Sequence, residues 1–361
     1  MTLDLHAPVG DLALILVETA SVSGSEGPLA DAVEVALRAL PHLEVTRDGD
    51  AVVARTSLGR SRRVAVVGHL DTVPLVDGLR PRIEGDTLWG RGAVDMKGGV
   101  AVLLSLAAAL KEPSADVTWI LYDHEEVADS LNGLGRLFDH RPELVTVDFA
   151  VLCEPTAGRI EGGCNGTLRV EAHVAGVAAH SARAWKGVNA IHGAAPILAA
   201  LAAYTPQTIT VDGLEYREGL NAVAVAGGRA ANIIPDRCTV TINYRYAPSR
   251  SAEEALDHVR GVLEGSGAEG LELEVVDHGA ACRPGLDAPV ARAFVDAVAA
   301  TGAGEPRAKV AWTDVARFGA RGIPAVNFGP GDAELAHADD ERASVAEIER
   351  VRQGLRAWLE G

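Results

Sequence analysis

Short apolar runs rich in β-branched residues, spaced by helical stretches, constrain this chain more than any other feature of its sequence. Residues 51–55, 64–68, 117–122 and 149–153 are such runs. Unbroken apolar character over so few residues suits strands covered on both faces. Residues 29–40 and 98–110 read as helices between or beside them. This alternation predicts an α/β layered domain built on a central mixed sheet.

The pattern changes from about residue 166. Residues 167–174 alternate as a strand, 187–204 read as a helix, and 221–226 and 238–246 as strands. Residues 251–264 read as a helix opened by Ser251 as N-cap, with acidic residues in its first turn. A strand at 271–276 completes the order βαββαβ, that of an α+β ferredoxin-like layer. Beyond Arg283 and Pro284 the α/β character returns, with a helix at 289–301, a strand at 324–328 and a closing helix at 344–359. The expectation is a catalytic domain formed by 1–165 and 283–361, interrupted by an inserted domain at 166–282. A chain of 361 residues, 48% hydrophobic, has the apolar content for two cores.

Lys and Arg number 33 against 50 Asp and Glu, a net charge of −17. Such a chain suits neither nucleic acid nor an anionic membrane surface, so an anionic substrate would have to be met by local arginines. The opening segment lacks a basic n-region and is interrupted by Asp11 and Glu18, so it reads as an amphipathic helix rather than a signal peptide. The four cysteines, Cys153, Cys164, Cys238 and Cys282, are scattered and read as small buried hydrophobes of a cytoplasmic protein.

Acidic residues and histidines cluster just after the apolar runs or before helices, where α/β sheets bind ligands. In GHLDTVP, His69 and Asp71 share a face if the strand continues, so Asp71 is placed to hold the His69 ring as carboxylates hold metal-bound imidazoles. A plain strand-end turn explains the pair equally well. Asp95 in WGRGAVDMKGG reads as a helix N-cap or as a metal-binding carboxylate. Glu125 and Glu126 in DHEE form either a solvated acidic turn or a division of labour, one ligand and one general base. His124 beside them is a rival ligand with a structural reading. Glu154 ends the apolar run VLCEP, where a carboxylate needs a partner. His337 in ELAHADDE is a fifth candidate. Two histidines and several carboxylates exceed the needs of one tetrahedral zinc and suit two metals sharing a bridging carboxylate. There is no GxSxG elbow and no P-loop.

The joint occurrence of GHLDTVP, WGRGAVDMKGG, DHEE, CEPT, AHSARAWKGVNA, ANIIPD, NYRYAP, WTDVARFGARGIPAVNFGPG and AHADDE resembles the co-catalytic dizinc aminoacylase/carboxypeptidase family of metallopeptidases. The resemblance implies that His69, Asp95 and Glu154 hold one zinc, that Asp95 bridges, and that Glu126 and His337 hold the second. It makes Asp71 the holder of His69, Glu125 the general base, and Asp95–Met96 a cis peptide. His180 would stabilise the oxyanion from the partner subunit of a homodimer built through the inserted lid and dimerisation domain. Asn232 and Arg245 would meet the substrate's carboxylate end, Thr313 and Arg317 occupy the substrate-side motif of the catalytic domain, and Arg183 is a less central substrate contact. The implied activity is hydrolysis of a small anionic N-acylated amino acid by two Zn2+ per subunit, with Co2+ or Mn2+ able to substitute. Several acyl specificities, and a non-catalytic binding protein, share these features. His124 departs from the commoner pattern, in which an acidic residue precedes the glutamate pair.

Overall fold

The computed structural model describes residues 2–268 and 270–361 of the chain. Two compact units emerge. The first comprises residues 1–163, 284–307 and 313–361; the second comprises 164–283 and 308–312. The return of residues 308–312 to the second unit carries no signal in the sequence.

The first unit is an α/β layered domain on an eight-stranded mixed sheet. Its strand order is Glu44–Asp48, Ala51–Arg55, Asp116–Tyr122, Arg63–His69, Phe149–Leu152, Ala325–Asn327, Glu161–Gly162 and Arg307–Ala308. The four strands from Asp116–Tyr122 to Ala325–Asn327 run parallel, and antiparallel strands flank them on both sides. All seven residues of Asp116–Tyr122 are buried, as the unbroken apolar run requires of a strand covered on both faces. Helices Val9–Glu18, Gly27–Arg38, Lys97–Ala109, Pro289–Ala299 and Val345–Glu360 supply the covering layers. Twelve of the thirteen residues of Lys97–Ala109 are buried, so this helix is a core element and not an amphipathic surface one.

The helix start answers one question that the sequence leaves open. Its N-cap is Met96, and no side chain caps it. Asp95 is therefore not spent on capping, and the Asp95–Met96 peptide is cis. The glycines that follow serve close packing. A Cβ on Gly99 would press into the Cys153 carbonyl oxygen, and one on Gly98 would stand 2.8 Å from the Ala93 carbonyl oxygen. The first helical turn thus lies directly on the strand end that carries Glu154.

The second unit holds a four-stranded antiparallel sheet in the order Gly219–Gly227, Arg237–Tyr246, Gly166–Ala175 and Leu271–Gly279. Helices Ala190–Ala203 and Ala252–Glu264 share a core with it. Chain order and sheet order together are those of the ferredoxin-like βαββαβ layer. Ser251 caps its helix and Glu254 completes a capping box. The helix expected from residue 187 begins at Ala190, because Asn189 accepts the N–H groups of Ile191 and His192 and ends the preceding loop. A hairpin, Thr208–Val211 with Leu214–Arg217, is an addition to the expected pattern.

All four cysteines are free and buried. No helix among the described residues is long and apolar enough to cross a membrane.

The packing at Gly99 predicts that Gly99→Ala destabilises the protein by about 1–3 kcal/mol, the range for overpacking a tight contact. Chemical denaturation measures it; an unchanged midpoint would contradict the close approach.

Candidate two-metal active site

The parallel strands deliver the site. His69 is the last residue of its strand, and Asp71 follows two residues later. Tyr122 ends the neighbouring strand and hands the chain to Glu125 and Glu126. Leu152 ends the strand on the other side, two residues before Glu154. Carboxyl ends of parallel strands point their loops to one edge of the sheet, which is why residues far apart in sequence converge there. Asp95 arrives just before the Lys97–Ala109 helix, and His337, with φ of 62°, from the loop after the short turn Ala333–Leu335.

Asp95 stands at the centre. Its Oδ1 lies 3.1 Å from His69 Nε2, and its Oδ2 lies 3.6 Å from His337 Nε2. Each carboxylate oxygen therefore faces a different imidazole. His337 Nε2 also lies 2.8 Å from Glu126 Oε1. The donor atoms of His69, Asp95 and Glu154 lie within 4.8 Å of one another, and so do those of Asp95, Glu126 and His337. One imidazole nitrogen and one terminal carboxylate on each side of a shared carboxylate fit a pair of divalent cations. Glu125 forms a third grouping of the same spacing with His69 and Glu126, which places it beside the pair.

The hold on His69 differs in detail from the i, i+2 expectation. The strand stops at His69, so the alternation that would set the Asp71 carboxylate against the ring lapses there. The ring Nδ1 lies 3.0 Å from the Asp71 backbone carbonyl and 3.5 Å from its carboxylate. The carboxylate also serves the next loop: Oδ1 accepts the Glu125 N–H and Oδ2 the Glu126 N–H, both at 3.0 Å. Oδ2 also accepts the Ser23 hydroxyl at 2.7 Å. Asp71 thus orients an imidazole and sets the turn bearing both glutamates. Two successive N–H groups drawn to one carboxylate leave the two glutamate side chains free to diverge.

The electrostatics reflect this crowding. Burial disfavours a charged His69, but hydrogen bonds to Asp71 and Asp95 outweigh it and raise its pKa well above the usual value. Hydrogen bonds to Asp95 and Glu126 raise that of His337 to about 10. Burial pushes Asp71 up, yet its bonds with His69 and the Glu126 N–H bring it down to about 2. Glu125 moves the other way: burial raises it well above the usual range, Glu154, Asp314 and Glu126 add to the rise, and His69 opposes it.

Other sequence candidates fall in several places. His124 is held off the centre: its Nδ1 lies 2.7 Å from the Asp123 carboxylate, and its N–H donates to buried Glu26. Cys153 is buried, with its thiol pushed up by burial. Lys97 donates to the Thr19 carbonyl at 2.6 Å, and burial lowers its pKa to about 7. Thr313 is buried and donates its hydroxyl to Asn327 Oδ1 at 2.9 Å. Arg317 forms ion pairs with Asp314 and Asp129. Both residues thus make contacts within the catalytic unit, in the WTDVARF motif that the resemblance places on the substrate side. His180, Arg183, Asn232 and Arg245 belong to the second unit. There the strand pair Ala179–His180 and Ile233–Ile234, with the Ser181 N–H donating to the Asn232 carbonyl, brings His180 and Asn232 close together.

Sequence reasoning missed Asp314 and Glu341. Asp314 is fully buried and receives the Tyr122 hydroxyl at 2.7 Å and the Asn132 amide at 3.0 Å. Glu341 is fully buried against Arg91. Both lie inside motifs the sequence brought forward, WTDVARF and AHADDE, but nothing in an acidic loop marks which carboxylate is buried.

An α/β sheet at whose edge two imidazoles and several carboxylates gather around Asp95 is the scaffold of a metallohydrolase. Residues 65–360 match the peptidase family M20/M25/M40, and the chain belongs to that family. It is 47% identical over 349 residues to the succinyl-diaminopimelate desuccinylase of Corynebacterium glutamicum, covering 95% of this chain and 94% of that one. It is 50% identical over 360 residues to a Mycobacterium tuberculosis protein named for the same desuccinylase, DapE, covering 99% of this chain and all of the other. Among solved structures, a tripeptidase from Staphylococcus aureus superposes with a TM-score of 0.80 at 20% identity, covering 100% and 99% of the two chains. A dinuclear metal binding peptidase of the M20 family from Bacillus subtilis gives 0.74 at 18% identity, covering 99% and 98%.

With their pKa values raised, His69 and His337 carry protons at pH 7 in the metal-free protein, and a metal takes only the neutral ring. Metal binding at pH 7 is therefore expected to release about one proton per imidazole, and affinity to rise with pH towards about 10, where His337 loses its proton. Calorimetric titration in two buffers of different ionisation enthalpy reads this directly. Heats that do not depend on the buffer would contradict it.

Proposed function

We propose that this chain hydrolyses N-succinyl-LL-2,6-diaminopimelate to succinate and LL-2,6-diaminopimelate, in cytoplasmic lysine and diaminopimelate biosynthesis. The observation that carries the reading is the convergence of His69, Asp95, Glu126, Glu154 and His337 beside a half-buried Glu125, in a chain 47% identical to a desuccinylase over nearly its whole length. The donor set suits two Zn2+, with Co2+ or Mn2+ as substitutes. Bound there, such cations supply Lewis-acid polarisation of an amide carbonyl and an acidified water.

The side chains divide the remaining work. Glu125 takes the water's proton and passes it to the leaving amine. Its carboxylate lies in the same close grouping as His69 and Glu126, which supports that role. Asp71 keeps the His69 ring and the Glu125–Glu126 turn in register. We assign His180 to the oxyanion. Its Nδ1 accepts the Ala182 N–H at 3.1 Å, so the ring proton sits on Nε2 as an outward donor.

For the substrate's carboxylates we assign Arg245 and Asn232, with Arg183 as a further contact. Burial and the neighbouring Arg169 both disfavour the Arg245 charge, and Asp277 only partly offsets them, so an anionic ligand relieves that guanidinium. Thr313 and Arg317 we keep as substrate-side residues of the catalytic unit. We read the second unit as a lid and as the contact surface of a homodimer. In support, the sheet edge Gly219–Gly227 is largely exposed and presents Val223 and Val225.

The function is tested by comparing kcat/KM on N-succinyl-diaminopimelate and N-acetylornithine with metal content quantified. Faster turnover of the acetyl substrate would defeat the desuccinylase reading. Glu125→Gln is expected to lower kcat by about 10²–10⁴-fold, the usual contribution of a general acid–base group, while the metal content is retained. Loss of the metals in that variant would make Glu125 a ligand instead.

A further inference from the structure

A buried ion pair lies beneath the ligands and takes no part in the chemistry described above. Arg91 and Glu341 are 7% and 0% exposed, with Arg91 Nη1 2.7 Å from Glu341 Oε2. Removing two charges from water is costly and is offset only when every remaining donor and acceptor is satisfied. Here they are satisfied by backbone from the ligand-bearing segments. Glu341 Oε1 accepts the N–H of Val94 at 2.9 Å and of Asp95 itself at 3.2 Å. Arg91 donates to the carbonyls of Pro74 at 3.1 Å, Ala338 at 3.3 Å and His337 at 3.5 Å. The Gly90 N–H closes the set by donating to the Glu341 carbonyl at 3.1 Å.

We infer that Glu341 and Arg91 are positioning residues that fix the bridging Asp95 and the second-metal ligand His337 relative to one another and to the GHLDTVP loop. Three segments far apart in sequence, 68–74, 91–95 and 337–341, meet on this one pair. Glu341 holds the backbone of the shared carboxylate, and Arg91 holds the carbonyl of His337 and the far end of the loop that begins with His69. Displacing Asp95 by a fraction of an ångström affects both cation sites at once, because each of its oxygens faces one of them. Neither residue touches substrate or metal. The inference rests on the two-metal reading of the site.

The test uses the full-length protein. In Glu341→Gln one acceptor oxygen becomes an NH2 group, which faces either Arg91 or the Val94 and Asp95 N–H groups, donor against donor. Zn2+ and Co2+ affinities are expected to fall about 10–100-fold, as for other groups that support metal ligands. The Co2+ absorption bands should shift, and kcat should fall with KM within about threefold. Arg91→Lys keeps the charge and leaves Glu341 in place but loses the fork to three carbonyls; it should weaken the second equivalent of metal and leave the first nearer to the parent value. Arg91→Met/Glu341→Leu separates positioning from stability. Apolar replacement of a buried pair can restore stability, and metal affinity is expected to stay low because the acceptor for Asp95 is gone. Folded Glu341→Gln and Arg91→Lys variants with parental affinity, spectrum and kcat would overturn the inference. So would a double variant that recovers metal affinity along with stability. An unmutated protein that binds fewer than two equivalents of metal would instead defeat the two-metal reading.

Discussion

The structure is organised around a concentration of negative charge. Asp95, Glu125, Glu126 and Glu154 meet at one edge of the sheet, with Asp71, Asp314 and Glu341 buried behind them. Carboxylates this close repel one another strongly where water is scarce. The chain offsets that repulsion in three ways. Imidazoles from His69 and His337 sit against Asp95. Guanidinium groups from Arg91 and Arg317 neutralise Glu341 and Asp314. Backbone N–H groups are turned onto Asp71 and Glu341. Glu125 is desolvated beside Glu154, Asp314 and Glu126, which raises its pKa, and His69 only partly opposes the rise.

This arrangement depends on the sheet and the helix packed upon it. Parallel strands send their loops to one edge, so the same geometry that buries the apolar runs also brings the acidic loops together. The helix Lys97–Ala109 can rest on the Glu154 strand end only because Gly99 has no Cβ to meet the Cys153 carbonyl. Core packing and site geometry are therefore coupled at that contact. The second unit carries a different kind of residue. His180, Asn232, Arg183 and Arg245 are hydrogen-bonding or cationic side chains in an acidic chain.

Much of the fold was legible because its signals are local. Unbroken apolar runs marked the parallel strands, alternation marked the strands of the second unit, and Ser251 with Glu254 marked a helix start. The metal-ligand candidates could be named because several clusters occur together in a recognisable order. What could not be read was partnership. Nothing local in WTDVARF shows that Thr313 meets Asn327 or that Arg317 pairs with Asp314 and Asp129. Asp71 lies beside the His69 ring, and nothing local shows that its oxygens also take the Glu125 and Glu126 N–H groups.

The sequence by itself determined the layering, the inserted ferredoxin-like order and the inventory of imidazoles and carboxylates, because periodicity and residue type act over a few neighbouring residues. Only the tertiary structure decided which carboxylates converge, which are buried and which are matched by an arginine. Those properties depend on distances between segments as far apart in sequence as Arg91 and Glu341, and on how much water reaches each group once the chain has closed around it.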